Sequence, residues 1–337
     1  MGNWWNKKKM FLNQEDRFRL KAAYQVLLIP CVALIFSSFM IWIFMSMNHI
    51  YLESNGLVVH DSVREAFFDS VLSSALGVVP YAVGIGAGIF LVGYYIGGLL
   101  LRPFLELSYN CAEVLDDPDY EIEKSVFSRF NIMSNFSRFF FKEIKKYRQE
   151  KSITASKVRK KFRNISGPVF DKSFFLEYSF FMFLLSCFSI LALYMGTIEI
   201  HARIVDISIG MMPKANGGLE HFLNAQKELL TSIQIIVSIF IINAYAILGK
   251  NLMKEMNGVT FAFFKGMREY VSHDFSSRIS LRFKDPAQDS AKYVNKFLDL
   301  IEEEIYSVDE TETSDDDLEV EADMPPPLPP MPFDDAA

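Results

Sequence analysis

The side chains able to do chemistry are few and scattered. His49, His60, His201 and His221 fall close in sequence to Glu53, Asp61, Glu199 and Glu220. Imidazoles among carboxylates can hold a metal or respond to pH. None of these histidines has a second one four residues away, so no ligand pair is preformed on a helix, and surface histidines with no metal are the simpler expectation. His273, in VSHDF, could accept a phosphoryl group, yet no ATP-binding module accompanies it. The chain holds no HExxH, no closely spaced cysteine pair and no G-x-S-x-G. Its glycine-rich run at 84–98 lies in an apolar stretch, not at a strand-to-helix turn that could cradle phosphate. Cys31 and Cys187 stand in apolar stretches and Cys111 in an amphipathic one, so no disulfide framework is expected, and all three read as buried small apolar residues. Neither catalysis nor a cofactor is expected.

The elements that must carry these residues are membrane helices. Half the residues are apolar, 15% are aromatic, and mean hydropathy is +0.16. Apolar runs at 22–47, 76–101, 174–194 and 229–249 are each long enough to span a bilayer core of roughly 30 Å. The first is too long for a cleaved leader, and MGNWWN lacks the hydroxyl residue that myristoylation requires at position 6. Lys7, Lys8, Lys9, Arg17, Arg19 and Lys21 precede the first run, whereas 48–75 holds only Arg64. The 196–228 segment is likewise poor in basic residues, and 142–172 is rich in them. Positive charge stays inside, so both termini and the middle segment are expected in the cytoplasm. The formal net charge of −7 hides a division. Residues 302–337 carry 14 acidic residues and no Lys or Arg, leaving 34 basic against 27 acidic in the rest. An acidic, unfolded tail on a basic membrane body is expected.

Below the second and fourth runs the apolar spacing becomes helical. Phe104, Leu107, Cys111 and Val114 step by three or four, directly after Arg102-Pro103, where Pro predicts a hinge. DDPDYEIEKS then connects to Val126, Phe130, Met133, Ser137, Phe140, Ile144 and Tyr147, an alternation of four and three that marks a coiled-coil seam. Below the fourth run the seam is Met256, Thr260, Phe263, Met267 and Tyr270. An extended piece, HDFSSRISLRFKD, is expected to point Ile279, Leu281 and Phe283 the same way. After Asp285-Pro286 comes a second stripe of Val294, Phe297, Ile301 and Ile305. The chain thus repeats one plan twice.

Membrane helix, amphipathic helix, connector, amphipathic helix: this order resembles the HAMP linker of bacterial transmembrane signalling proteins. DFSSRI in the connector and VNKFLDLIEEE in the second helix carry the resemblance. Asp285-Pro286 stands where that family has Asp-Glu, and the second copy lacks a Pro just below its span. The resemblance implies an all-α polytopic protein of the bacterial inner membrane, with four spans and HAMP-like helical units at 102–150 and 250–306. The remaining divisions are a basic N-terminus (1–21), span hairpins (22–101 and 174–249), a basic linker (151–173) and the tail (307–337).

A conformational relay without its own output domain follows from that resemblance. Pro103, Phe104, Leu107, Val114, Met133, Phe140, Phe263, Met267, Phe297 and Ile301 would transmit the change to a separate partner. A static subunit of an envelope machine is the alternative, and a transporter a weaker one. Gln234, Asn243 and Glu177 are too few for a permeation path and read as interhelical hydrogen-bonding groups. Gly84, Gly88, Gly93 and Gly97 allow close helix approach, within the chain or in a homodimer inside the bilayer. The Phe-rich 174–188 stretch should face lipid on one side. The 142–172 run reads as a topology signal and not as a nucleic-acid site. Pro325, Pro326, Pro327, Pro329 and Pro330 favour polyproline II, a ligand for a cytoplasmic protein partner.

Overall fold

The computed structural model describes residues 14–54, 61–116, 131–150, 172–210, 217–272 and 274–316. Among them only 272 and 274–287 are not helical, and no strand occurs. The helices are α1 (Gln14–Ser54), α2 (Asp61–Asp116), α3 (Asn131–Glu150), α4 (Lys172–Gly210), α5 (Gly217–Val271) and α6 (Gln288–Asp316).

α1, α2, α4 and α5 are long and apolar enough to cross a membrane. In their most apolar stretches only 6% (α2) to 28% (α4 and α5) of residues are buried inside the protein. Ile35, Trp42, Tyr81, Val83, Leu91 and Ile236 all project outward. An apolar surface on that scale is compatible with a bilayer and not with water. The Phe-rich stretch divides as its period requires: Phe180, Phe183 and Phe188 face out, while Phe174, Tyr178 and Met182 face in.

These helices outrun the apolar stretches. α2 has 56 residues, which at 1.5 Å each is roughly 80 Å, far beyond a bilayer core. The thirty-residue loops expected between spans are therefore mostly helical extensions of α1, α2, α4 and α5. α2 continues as one helix through Pro80 and Pro103. Proline removes one backbone donor, and the turns on either side remain helical, with Arg102 and Glu106 paired across it at 2.8 Å.

Two of the four span glycines bring helices together. A Cβ on Gly93 would stand 2.9 Å from Ala23 Cα, and one on Gly97 would stand 2.8 Å from Arg19 Cα. Both are backbone contacts of α1 that cannot swing aside. Gly84 and Gly88 meet nothing within 4 Å. Tyr245 of α5 donates to the Val26 carbonyl of α1 at 3.1 Å and lies 3.1 Å from Ser189 Oγ of α4, tying three helices together. Asn243 is exposed and bonds its own helix at Ile239, not a neighbour as expected, because its face of α5 points outward. Cys31 and Cys187 are exposed on outward faces; of the three cysteines only Cys111 is buried.

Candidate functional site

Past their apolar stretches, α2 and α5 continue as helices and meet α3 and α6. The contacts advance in step along all four. Phe104 of α2 packs on Phe263 of α5, with ring centroids 4.9 Å apart. Phe136 of α3 packs on Phe264, with centroids 4.1 Å apart and the rings tilted. One turn further on, Phe140 reaches Tyr270 and Phe297, both at 6.4 Å, and Phe141 touches Phe297 at 5.9 Å. Further still, Arg148 Nε pairs with Glu304 of α6 at 2.9 Å, while its Nη1 donates to the Val114 carbonyl of α2 at 3.1 Å. Residue numbers rise together on every helix. The four segments therefore run parallel, and both copies of the repeated plan share one core.

The seam residues are where their spacing places them. Phe104, Leu107, Cys111 and Val114 are buried, as are Met133, Phe140, Ile144 and Tyr147. So are Met256, Thr260, Phe263, Met267 and Tyr270, with Val294, Phe297 and Ile301. Pro103 and Ser137 are half-buried. Phe136, Phe141, Val259, Phe264 and Leu298 are equally buried but stand off the expected stripes. A helix in a two-stranded seam buries one narrow stripe, whereas a helix in a four-helix bundle touches neighbours on two sides and needs a wider one. The aromatic doublets Phe140-Phe141 and Phe263-Phe264 are the sequence signal for that width.

The return from α5 to α6 is clasped against both helices. Ile279 is buried against Gly266, where a Cβ would lie 2.9 Å from Ile279 Cγ1 and 3.2 Å from its Cα and N. Asn295 of α6 holds the same residue by both backbone groups, accepting from Ile279 N at 2.8 Å and donating to its carbonyl at 2.9 Å. Phe275 shares the buried side with Ile279. Leu281 is only partly buried, and Phe283 is 84% exposed, so the expected alternation fails where the chain turns at 283–284.

Arg278 closes the clasp. Its Nε donates to Asp299 at 2.6 Å, its Nη2 to Glu302, and its Nη1 to the Phe275 carbonyl at 2.5 Å. Burial works against the guanidinium charge, but the bonds and charges of Glu302 and Asp299 outweigh it and raise the Arg278 pKa. Tyr147 Oη donates to the Val271 carbonyl at 3.2 Å, satisfying a backbone acceptor that the end of α5 leaves open. Tyr270 Oη does the same for Leu298 on α6 at 3.2 Å. Ala287, fully buried, takes a φ of 66° as the chain enters α6, and its carbonyl accepts from Ala291 N at 3.0 Å.

The first turns of α1 lean on this bundle. Glu15 is buried and accepts from Ser290 Oγ of α6 at 2.8 Å, and Lys21 pairs with Glu255 of α5 at 2.8 Å. Beside Glu15, a groove of about 940 Å³ runs between α2 and α6, past Leu105, Tyr109, Tyr293 and Leu300.

Among the described residues no group of three His, Cys, Asp or Glu could hold a metal. His201, read as a surface residue, is buried with Phe44 edge-on to it at 6.1 Å. α6 runs to Asp316, past the expected boundary at 306. His60, His273, Val126, Phe130, the DDPDYEIEKS connector beyond Asp116, most of the basic run and Pro325, Pro326, Pro327, Pro329 and Pro330 lie outside the described residues, as does the side chain of Ile305.

The described residues are thus all-helical but for the α5–α6 return, with four helices able to cross a membrane and a parallel four-helix bundle continuous with two of them. No family model, no curated protein and no solved structure matches it.

Proposed function

We propose that this protein is a membrane-embedded relay, in which the spans reset the packing of a HAMP-like bundle on the cytoplasmic side and a separate partner reads the result. The observation that carries the reading is the parallel bundle, continuous with α2 and α5 and built from both copies, in which Phe104–Phe263 and Phe136–Phe264 couple one copy to the other. A parallel bundle of this kind has more than one way to interdigitate its large side chains, which makes it a bistable element that a shift in the attached spans can bias. Closure of the bundle within one chain means that a single copy supplies all four helices, so the relay needs no homodimer to form it. Partner contact is assigned to the tail carrying Pro325–Pro330. The inner membrane of a bacterium, with both termini in the cytoplasm, is the setting that agrees with the placement of Lys and Arg.

The test needs no knowledge of the stimulus. In a background lacking Cys31, Cys111 and Cys187, cysteines at 104 and 263 are cross-linked with Gly97 intact or replaced by Leu, which must displace α1 from α2. A relay changes the cross-linking yield several-fold and changes the yield at 140 and 297 in the opposite sense. Equal yields at both pairs would mean that the bundle is a static contact surface, as in a structural subunit.

A further inference from the structure

At the end of the helices away from the aromatic bundle, three polar side chains are buried on three different helices. Asn48 (α1) and Gln226 (α5) are each 2% exposed, and His201 (α4) is 6% exposed. Among the described residues none finds a hydrogen-bonding partner through Asn48 Oδ1 and Nδ2, Gln226 Oε1 and Nε2, or His201 Nε2. Buried polar atoms in a folded protein are nearly always paired, so five orphans in one region point to a missing companion.

The neighbours set the three at one height. Phe44 of α1 lies edge-on to His201, and Tyr51 of α1 stacks on Phe222 of α5 with centroids 4.4 Å apart. Asn48 is one turn from each of these α1 contacts. α5 runs opposite to α1, so Gln226, one turn on from Phe222, comes to the height of Asn48. Leu52, Leu219 and Leu223 cluster towards the helix ends, and Met45 and Ile204 belong to a second cluster with Phe67 and Val71 of α2. Lys227 places a positive charge close enough to act on the His201 ring.

We infer that Asn48, His201 and Gln226 form a binding site for a small solute that accepts hydrogen bonds and carries no positive charge. Two carboxamides present an acceptor and a donor each, and the imidazole nitrogen adds a third contact point. Lys227 acts on the His201 ring, so a cation is disfavoured while a neutral amide or a small carboxylate is accommodated. The inference does not rest on the relay reading, because a static scaffold could hold the same solute.

The full chain in phospholipid nanodiscs, carrying ¹⁵N-labelled histidine, is titrated with acetamide, acetate and methylammonium. The His201 ring signal, assigned by its loss in His201→Gln, should shift saturably with acetamide or acetate and stay unmoved by methylammonium. Asn48→Leu and Gln226→Leu should each weaken the response, by roughly tenfold for one lost hydrogen bond. Should either variant fail to fold, the shortened polar variants Asn48→Ser and Gln226→Asn take its place. A His201 signal that ignores both acetamide and acetate, responds to methylammonium as well, or responds equally in the variants overturns the site. None of these outcomes touches the cross-linking test of the bundle.

Discussion

Arg278 shows how a single side chain sets the second return. It reaches Asp299, Glu302 and the Phe275 carbonyl at once, which no shorter or single-headed cation can do. Its side chain is 26% exposed, so solvent weakens each contact. Arg278→Ala should cost about 1–2 kcal/mol in urea unfolding of the bundle, and Arg278→Lys should recover less than half of that loss. A guanidinium whose pKa is raised in the folded state contributes stability at every pH below its ordinary value. The Arg278 contribution should therefore stay constant across the neutral range, and a loss of the Arg278→Ala difference between pH 6 and 9 would contradict it. Cys111 gives a second reading at this scale. It is buried among Leu107 and Val114, while Cys31 and Cys187 face outward. A water-soluble maleimide should leave Cys111 unlabelled until denaturant opens the bundle.

At the scale of elements, close approach decides which glycines matter. Gly266→Ala pushes a methyl group into the backbone of Ile279. It should destabilise the bundle by about 1–3 kcal/mol, because backbone held by Asn295 cannot retreat. Gly97→Ala should separate α1 from α2 at a similar cost, measured as a lower melting temperature in detergent. Gly84→Ala, with open space around it, should leave that temperature unchanged. Four glycines of one spacing thus part into two pairs. The spacing reports that a small face exists; only the neighbouring backbone says whether that face is used. The stripe through Phe263, Met267 and Tyr270 was legible from its period alone. Phe136 and Phe264 were not, since their burial depends on a second neighbour whose position no local pattern encodes.

At the scale of the whole molecule, the four apolar helices and the placement of Lys and Arg predict one sidedness. Cysteines introduced at positions 8 and 320 should react with an impermeant maleimide only after the membrane is opened, and one introduced at 214 should react in intact cells. Labelling of position 8 from outside would reverse the topology and with it the relay.

The elements can be read along the chain, because hydropathy over twenty residues and the three-four alternation of large apolar groups are properties of contiguous chain. They specified four spans, two amphipathic pairs and most of the buried seam. Tertiary structure alone decided that the two pairs interlock as one parallel bundle, that Gly93 and Gly97 serve α1, and that Asn48, His201 and Gln226 share a layer. Each of those outcomes joins residues from different helices, and which of several compatible faces meet is settled by packing between helices, not by the pattern within any one of them.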